Sequence, residues 1–142
     1  MNGMEQFKKI LQDNGHSVTR SRSYIFELLA SAGEPWPMHR LIDAAVGKAD
    51  RVSVYRTVEL FEKLGIAQRI NIGWKYKIEL SEAFLDHHHH MTCLACGRVV
   101  TVKDEPQFET MIARLAGTNG FVVKSHQLEI QGHCNSCQPD AI

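Results

Sequence analysis

Residues 51–80 read RVSVYRTVELFEKLGIAQRINIGWKYKIEL. The apolar period changes within this stretch. Val54, Val58, Phe61 and Leu64 recur at helical spacing, with Ser53 as the expected N-cap and Gly65 as the stop. IAQRI (66–70) and KYKIEL (75–80) then flank NIGW (71–74), which predicts a β-hairpin. A helix that runs directly into a hairpin is half of a winged helix-turn-helix. The other half is expected upstream. Phe7, Ile10 and Leu11 predict a first helix that ends at Gly15. Thr19 is a plausible N-cap for a second helix, with Ile25, Leu28, Leu29 and Ala32 as its stripe and Gly33 as its stop. EPWP (34–37) reads as a rigid loop. Met38, Leu41, Ile42 and Ala45 predict a short third helix that ends near Gly47.

The pattern differs after the hairpin. RVVTVKD (98–104) reads as a strand. Pro106 stands where a helix would start, and Phe108, Met111, Ile112 and Leu115 form that helix's apolar face. TNG (118–120) is a turn. FVVKSHQLEIQG (121–132) alternates, which puts His126, Leu128 and Ile130 on one face of a strand. The expected class is α+β. Residues 1–82 form a winged-helix domain and residues 83–142 a smaller α/β domain, with the boundary near Ser81–Leu85.

Composition bounds the function. The 142 residues suffice for one ordinary domain or two small ones, and 23% are charged, as in soluble globular chains. Sixteen basic and sixteen acidic side chains cancel, which excludes a strongly polyanion-seeking composition but not a local basic face. Residues 1–82 carry 12 Lys and Arg against 10 Asp and Glu, and residues 83–142 carry 4 against 6. The segment after Lys8 and Lys9 is too polar for a signal peptide. No apolar run approaches the ~18 residues that span a bilayer. The expected compartment is the cytoplasm, with no membrane partner.

All four cysteines lie in two C-x-x-C pairs, Cys93/Cys96 and Cys134/Cys137, separated by 37 residues. Two such pairs supply the four thiolates of a closed tetrahedral zinc site, and Gly97 suits the first knuckle turn. Two independent redox dithiols are the alternative, but the strand–motif–helix setting of a thioredoxin-like motif is missing. The expectation is structural Zn²⁺ on all four sulfurs, serving as a staple for a small domain.

Just before the first pair stand four histidines, His87 to His90. An internal run of four is a poor match to a purification tag. On a strand, alternation places His87 and His89 on one side and His88 and His90 on the other. That makes two half-sites back to back, each needing further ligands. Glu79, at the end of the hairpin, can reach one side. Glu109 and His126 can reach the other.

With these pieces assembled, the chain resembles the ferric uptake regulator family of bacterial metal-dependent repressors. The resemblance rests on SVTRSR (17–22), VSVYRTVELFEKLGIAQR (52–69), KYKIEL (75–80), HHHHMTCLACGRVV (87–100), Phe108–Glu109, HQLEIQGHC (126–134) and the final C-x-x-C. It implies a winged-helix DNA-binding domain, a hinge and a dimerisation domain, working as a homodimer on double-stranded operator DNA. It also implies a regulatory metal on Glu79, His88 and His90, and a second site on His87, His89, Glu109 and His126. The family's usual loop histidine falls on Pro35 here, and His39 lies four residues on. Many iron regulators have Asp where His89 stands, and the HHHH form resembles zinc regulators. Peroxide sensors typically have Asp where Glu79 stands. Glu79 and the imidazoles suit Fe²⁺, Zn²⁺ or Mn²⁺. The expectation is an iron-responsive repressor, with a zinc-uptake regulator as the alternative and a thiol or peroxide sensor third.

The helix carrying Ser53, Val54, Tyr55, Arg56 and Thr57 is the expected recognition helix. Val54, Val58 and Phe61 hold it to the core, leaving Ser53, Tyr55, Arg56 and Thr57 toward its exposed N-terminal end, the end that meets the major groove. Arg22 matches a basic position of the family, which implies a contact with the DNA backbone, and Arg20 is expected to bind DNA in place of the Lys that many members put just before VT (Ser17 here). An enzyme finds no support. A zinc deaminase needs H-x-E with P-C-x-x-C, and the chain has neither. It also lacks H-E-x-x-H, a Walker loop and a nucleophile elbow.

Overall fold

The computed structural model describes residues 1–138, which divide into two compact units between Asp86 and His87. The first unit contains α1 (Gly3–Asp13), α2 (Arg20–Ser31), α3 (Met38–Ala44) and α4 (Arg51–Lys63), followed by β1 (Ala67–Ile72) and β2 (Lys75–Leu80). Phe7, Leu11, Ile25, Leu41, Val54, Phe61, Ile66 and Ile78 are fully buried at its centre. Phe7 stacks on Phe26 with ring centroids 4.3 Å apart and meets Phe61 edge-on at 5.4 Å. The helical stripes read from the sequence are therefore the surfaces that face this core. The strands β1 and β2 pair antiparallel from Ala67↔Leu80 to Ile72↔Lys75, which is the wing.

Two local details depart from expectation. The cap of α4 is Asp50, not Ser53. An Asp50 carboxylate oxygen accepts a hydrogen bond from the Ser53 amide at 2.7 Å, so the helix starts two residues before Ser53. That bond, with a further one from Ser53, holds the Asp50 carboxyl below its usual range. Asp satisfies an orphan amide three residues on and favours the positive end of the helix dipole, an advantage Ser lacks. The EPWP segment is also more than a loop. The Trp36 amide donates to the Ile78 carbonyl at 2.8 Å, and the Ile78 amide donates back at 2.7 Å. Trp36 thus extends the wing by one bridge.

The second unit contains β3 (His88–Cys93), β4 (Val99–Lys103), α5 (Pro106–Thr118) and β5 (Glu129–Gly132). Its sheet order is β4-β3-β5, with β4 antiparallel and β5 parallel to β3. A parallel partner needs a long crossover, and α5 supplies it. The strand expected over 121–132 forms only at Glu129–Gly132. Its ladder on β3 begins at His90↔Glu129, and Phe121 to Ser125 are exposed. Alternation in sequence does not make a strand where no neighbouring strand offers hydrogen bonds.

The apolar face of α5 is only half realised. Phe108 and Ile112 are half-buried, while Met111 is 47% and Leu115 65% exposed. Met91, Val100 and Ile130 of the sheet are exposed as well. Among the described residues of this unit, the buried ones are His89, His90, Thr92 and Cys93. The unit has almost no apolar core of its own.

Candidate metal centres and nucleic-acid interface

The two C-x-x-C pairs come together. Cys93 ends β3, Cys96 follows in a turn, and Cys134 and Cys137 lie just beyond β5. Parallel pairing of Cys93 with Gly132 brings the second pair alongside the first. Each knuckle closes on a backbone bond, Gly97 to the Cys93 carbonyl and Cys137 to the Cys134 carbonyl, both 2.9 Å. Gly97 has φ 75°, a conformation that suits glycine. The four sulfurs lie within 4.8 Å of one another, with Cys96 and Cys134 at 3.9 Å. Four thiolates around one zinc stand about 3.8 Å apart. The donor set and spacing fit Zn²⁺. Without metal the four thiols share protons unevenly. The backbone amides of Cys96 and Cys134 lower Cys93 to about 6, and hydrogen bonding with Cys134 pushes Cys137 up to about 12.

Alternation along β3 divides the histidines as its pleat requires. The rings of His87 and His89 pack edge-on at 4.9 Å, and those of His88 and His90 at 4.7 Å. On the first side, Glu109 from the first turn of α5 and His126 from the loop before β5 complete a cluster. His87 Nε2 lies 3.0 Å from His126 Nε2 and 3.2 Å from Glu109 Oε1. His126 Nε2 is 3.0 Å and His89 Nε2 3.5 Å from the same oxygen. His89 is 4% exposed, and neither of its ring nitrogens has a hydrogen-bond partner. Buried imidazole nitrogens left this way are costly in a folded chain, and the four groups His87, His89, Glu109 and His126 could together hold a cation. The carboxyl of Glu109 feels opposing influences. Burial acts most strongly and raises it, but hydrogen bonding with Asp104 and the charges of His126 and His87 leave it below its usual range.

The residues expected to hold a regulatory metal belong to different units. In the first unit, Glu79 is a buried residue of β2. It pairs with Gln68, whose side-chain amide donates to Glu79 Oε1 at 2.8 Å. In the second, His88 and His90 share the other side of β3. Pro35 is buried and His39 is exposed on α3.

On α4, Tyr55 and Arg56 are exposed and Ser53 is half-buried. Thr57 is not available to DNA. It is 6% exposed, because it follows Val54 by three residues and so turns to the core with it. The helix surface instead includes Arg51 and Val52, the latter 56% exposed. Arg51 lies over the Tyr55 ring at 5.8 Å. Sequence reasoning missed both residues because it started the helix at Ser53. Counting back four from Tyr55 and Arg56 would have found them. Arg20 opens α2 and is exposed, whereas Arg22 donates to the Ser17 carbonyl at 2.7 Å and braces that turn. No helix among the described residues is long and apolar enough to cross a membrane.

Comparison with known proteins gives a consistent picture. Residues 13–131 match the ferric uptake regulator family. The ferric uptake regulation protein of Neisseria meningitidis serogroup A is 32% identical, over 95% of this chain and 96% of that protein. The solved Vibrio cholerae ferric uptake regulator is 28% identical with a TM-score of 0.75, covering 90% of this chain and 99% of that one. The Helicobacter pylori ferric uptake regulator shares the fold with a TM-score of 0.81 at 20% identity, over 97% of this chain and 93% of that one.

Proposed function

Because the chain belongs to the ferric uptake regulator family of transcriptional regulators, we propose that it is an iron-responsive repressor of metal-homeostasis genes. The observation that carries this reading is the coexistence of two elements. One is a winged helix that presents Arg51, Tyr55 and Arg56. The other is a histidine strand whose alternate faces group His87 with His89 and His88 with His90. Glu79, His88 and His90 are the proposed ligands of the regulatory ion. His87, His89, Glu109 and His126 hold a second ion, and the four cysteines hold structural zinc.

Imidazole and carboxylate donors suit Fe²⁺ well and accept Mn²⁺ and Zn²⁺. The four cysteines form one cluster, so no thiolate remains for a regulatory site, which favours iron over zinc. The histidine at position 89 supports zinc as the second reading. The regulatory ion is proposed to act through Glu79, His88 and His90. It favours DNA binding to the extent that it binds the competent arrangement more tightly.

The proposed assembly is a homodimer in the cytoplasm, and the exposed Met91, Val100, Met111 and Leu115 supply apolar surface for a second copy. Two recognition helices then read the half-sites of a pseudo-palindromic operator. Arg56 donates to a guanine edge or a phosphate, and Tyr55 packs on a thymine methyl or bonds a phosphate. Arg20 contributes to backbone neutralisation.

The test is retention of a duplex selected from random DNA, titrated with Fe²⁺, Mn²⁺ and Zn²⁺ at buffered free concentrations. Retention should appear with Fe²⁺ and vanish with chelator, and Arg56→Ala should weaken it about tenfold or more. Equal retention without metal would overturn the proposal. Retention with Zn²⁺ but not Fe²⁺ would select the zinc-responsive reading.

A further inference from the structure

The second metal cluster is spaced more tightly than a four-ligand site would be. His87 Nε2, His126 Nε2 and Glu109 Oε1 stand 3.0, 3.0 and 3.2 Å from one another. With bonds of about 2.1 Å, the ligands of a tetrahedron are about 3.4 Å apart, while adjacent ligands of an octahedron are about 3.0 Å apart. These three atoms therefore have the spacing of one octahedral face. Such a face leaves room opposite it for more than one further donor. His89 Nε2, 3.5 Å from Glu109 Oε1, accounts for one.

Asp104 is placed to be another. Its Oδ1 lies 3.9 Å from His89 Nε2, between the roughly 3.0 Å of adjacent and the roughly 4.2 Å of opposite ligands of an octahedral ion at the same bond length. The sheet register explains the position. Lys103 pairs with His88 and Val102 with His89, so Asp104, one residue further, comes opposite His87. Residues opposite one another in an antiparallel pair share a face, and that face carries His87 and His89. The Asp104 side chain is 37% exposed, so it can turn toward the cluster without disturbing packed neighbours.

We propose that Asp104 is a fifth protein ligand of the His87/His89/Glu109/His126 site, giving three imidazoles and two carboxylates around one ion. This set suits Fe²⁺ or Mn²⁺, which favour more than four ligands, better than tetrahedral Zn²⁺. The inference rests on the reading that this cluster holds a metal.

Cobalt distinguishes the possibilities, since tetrahedral Co²⁺ absorbs visible light far more strongly than five-coordinate Co²⁺. The full chain carries His90→Ala to silence the regulatory site, and its cysteines are filled with Zn²⁺ before Co²⁺ is added. The expected spectrum is weak and five-coordinate. Asp104→Asn, which keeps the side-chain shape, and Asp104→Ala should both convert it to the intense tetrahedral form. Both should weaken Co²⁺ binding about tenfold or more. Asp104→Glu should keep the weak spectrum. Unchanged zinc content and circular dichroism establish that the variants are folded. If both substitutions leave spectrum and affinity unchanged, Asp104 is not a ligand although the site stands. If Co²⁺ binds equally well after Glu109→Ala, the site itself is not where the ion sits, and the assignment of Asp104 falls with it.

Discussion

Cys93→Ser is expected to unfold the second unit and leave the first unit folded. The physical reason is the distribution of buried side chains. The first unit has a continuous core from Phe7 to Leu80. In the second, Cys93 is the one buried hydrophobic residue among those described, beside His89, His90 and Thr92. Structural zinc in small modules contributes an apparent ~10–16 kcal/mol that is itself folding free energy. A whole domain is stable by only ~5–15 kcal/mol. If zinc occupies the four thiolates as proposed, losing one of them forfeits a large part of that energy, more than this unit can spare. The cysteines also join β3 to the segment after β5, so the parallel pairing of the sheet goes with them.

Amide hydrogen exchange on the full chain is the direct measurement. Protection in β3, β4 and β5 should be lost, while that of α1, α2 and α4 persists. A Cys93→Ser protein with full protection in β3 would refute the structural role. Zinc binding must also displace protons, because Cys137 sits near 12 in the metal-free cluster. Apparent zinc affinity should accordingly rise with pH. Cys93, already lowered to about 6, should keep its thiolate to the lowest pH of the pair.

The second large effect is expected for His90→Ala. Under the proposed assignment this removes one ligand of the regulatory ion and leaves the cysteine cluster and the His87/His89 face in place. Losing even an outer-shell partner of a metal costs about ten- to a hundredfold in affinity. Losing a direct ligand should exceed that, so the free Fe²⁺ needed for half-maximal operator retention should rise by more than about a hundredfold. Sedimentation should still give a dimer, because the substitution leaves the exposed apolar surface of the sheet and α5 untouched. His87→Ala is the informative companion. It lies on the other side of the strand, so it should move the Fe²⁺ requirement much less. An unchanged requirement for His90→Ala, with metal still needed, would remove His90 from the regulatory site.

Much of this was legible because it was local. Thr19 caps α2, accepting from the Arg22 amide at 3.2 Å, as its position before a helical stripe predicts. The split of the four histidines follows from the two-residue period of a strand, which needs no knowledge of the partners. The errors were local too, but turned on competition between neighbours. Asp50 and Ser53 are both capping residues, and the sequence does not say which one the chain uses. Starting the helix two residues late hid Arg51 and Val52 and left Thr57 facing solvent in the expectation when it faces the core.

The sequence alone determined the repertoire: helices and a wing, a strand with two faces of histidine, and two thiol knuckles. Each follows from spacing along the chain, where the 3.6- and 2-residue periods and the reach of a short turn operate. Only the tertiary structure decided that β5 runs parallel to β3 and starts as late as Glu129. That pairing sets Cys134 and Cys137 beside Cys93 and Cys96. It also brings His126 up to His87, while the antiparallel register of β4 on β3 places Asp104 near His89. Residues separated by tens of positions meet through backbone hydrogen bonds whose partners are chosen by the whole fold, and no local period encodes that choice.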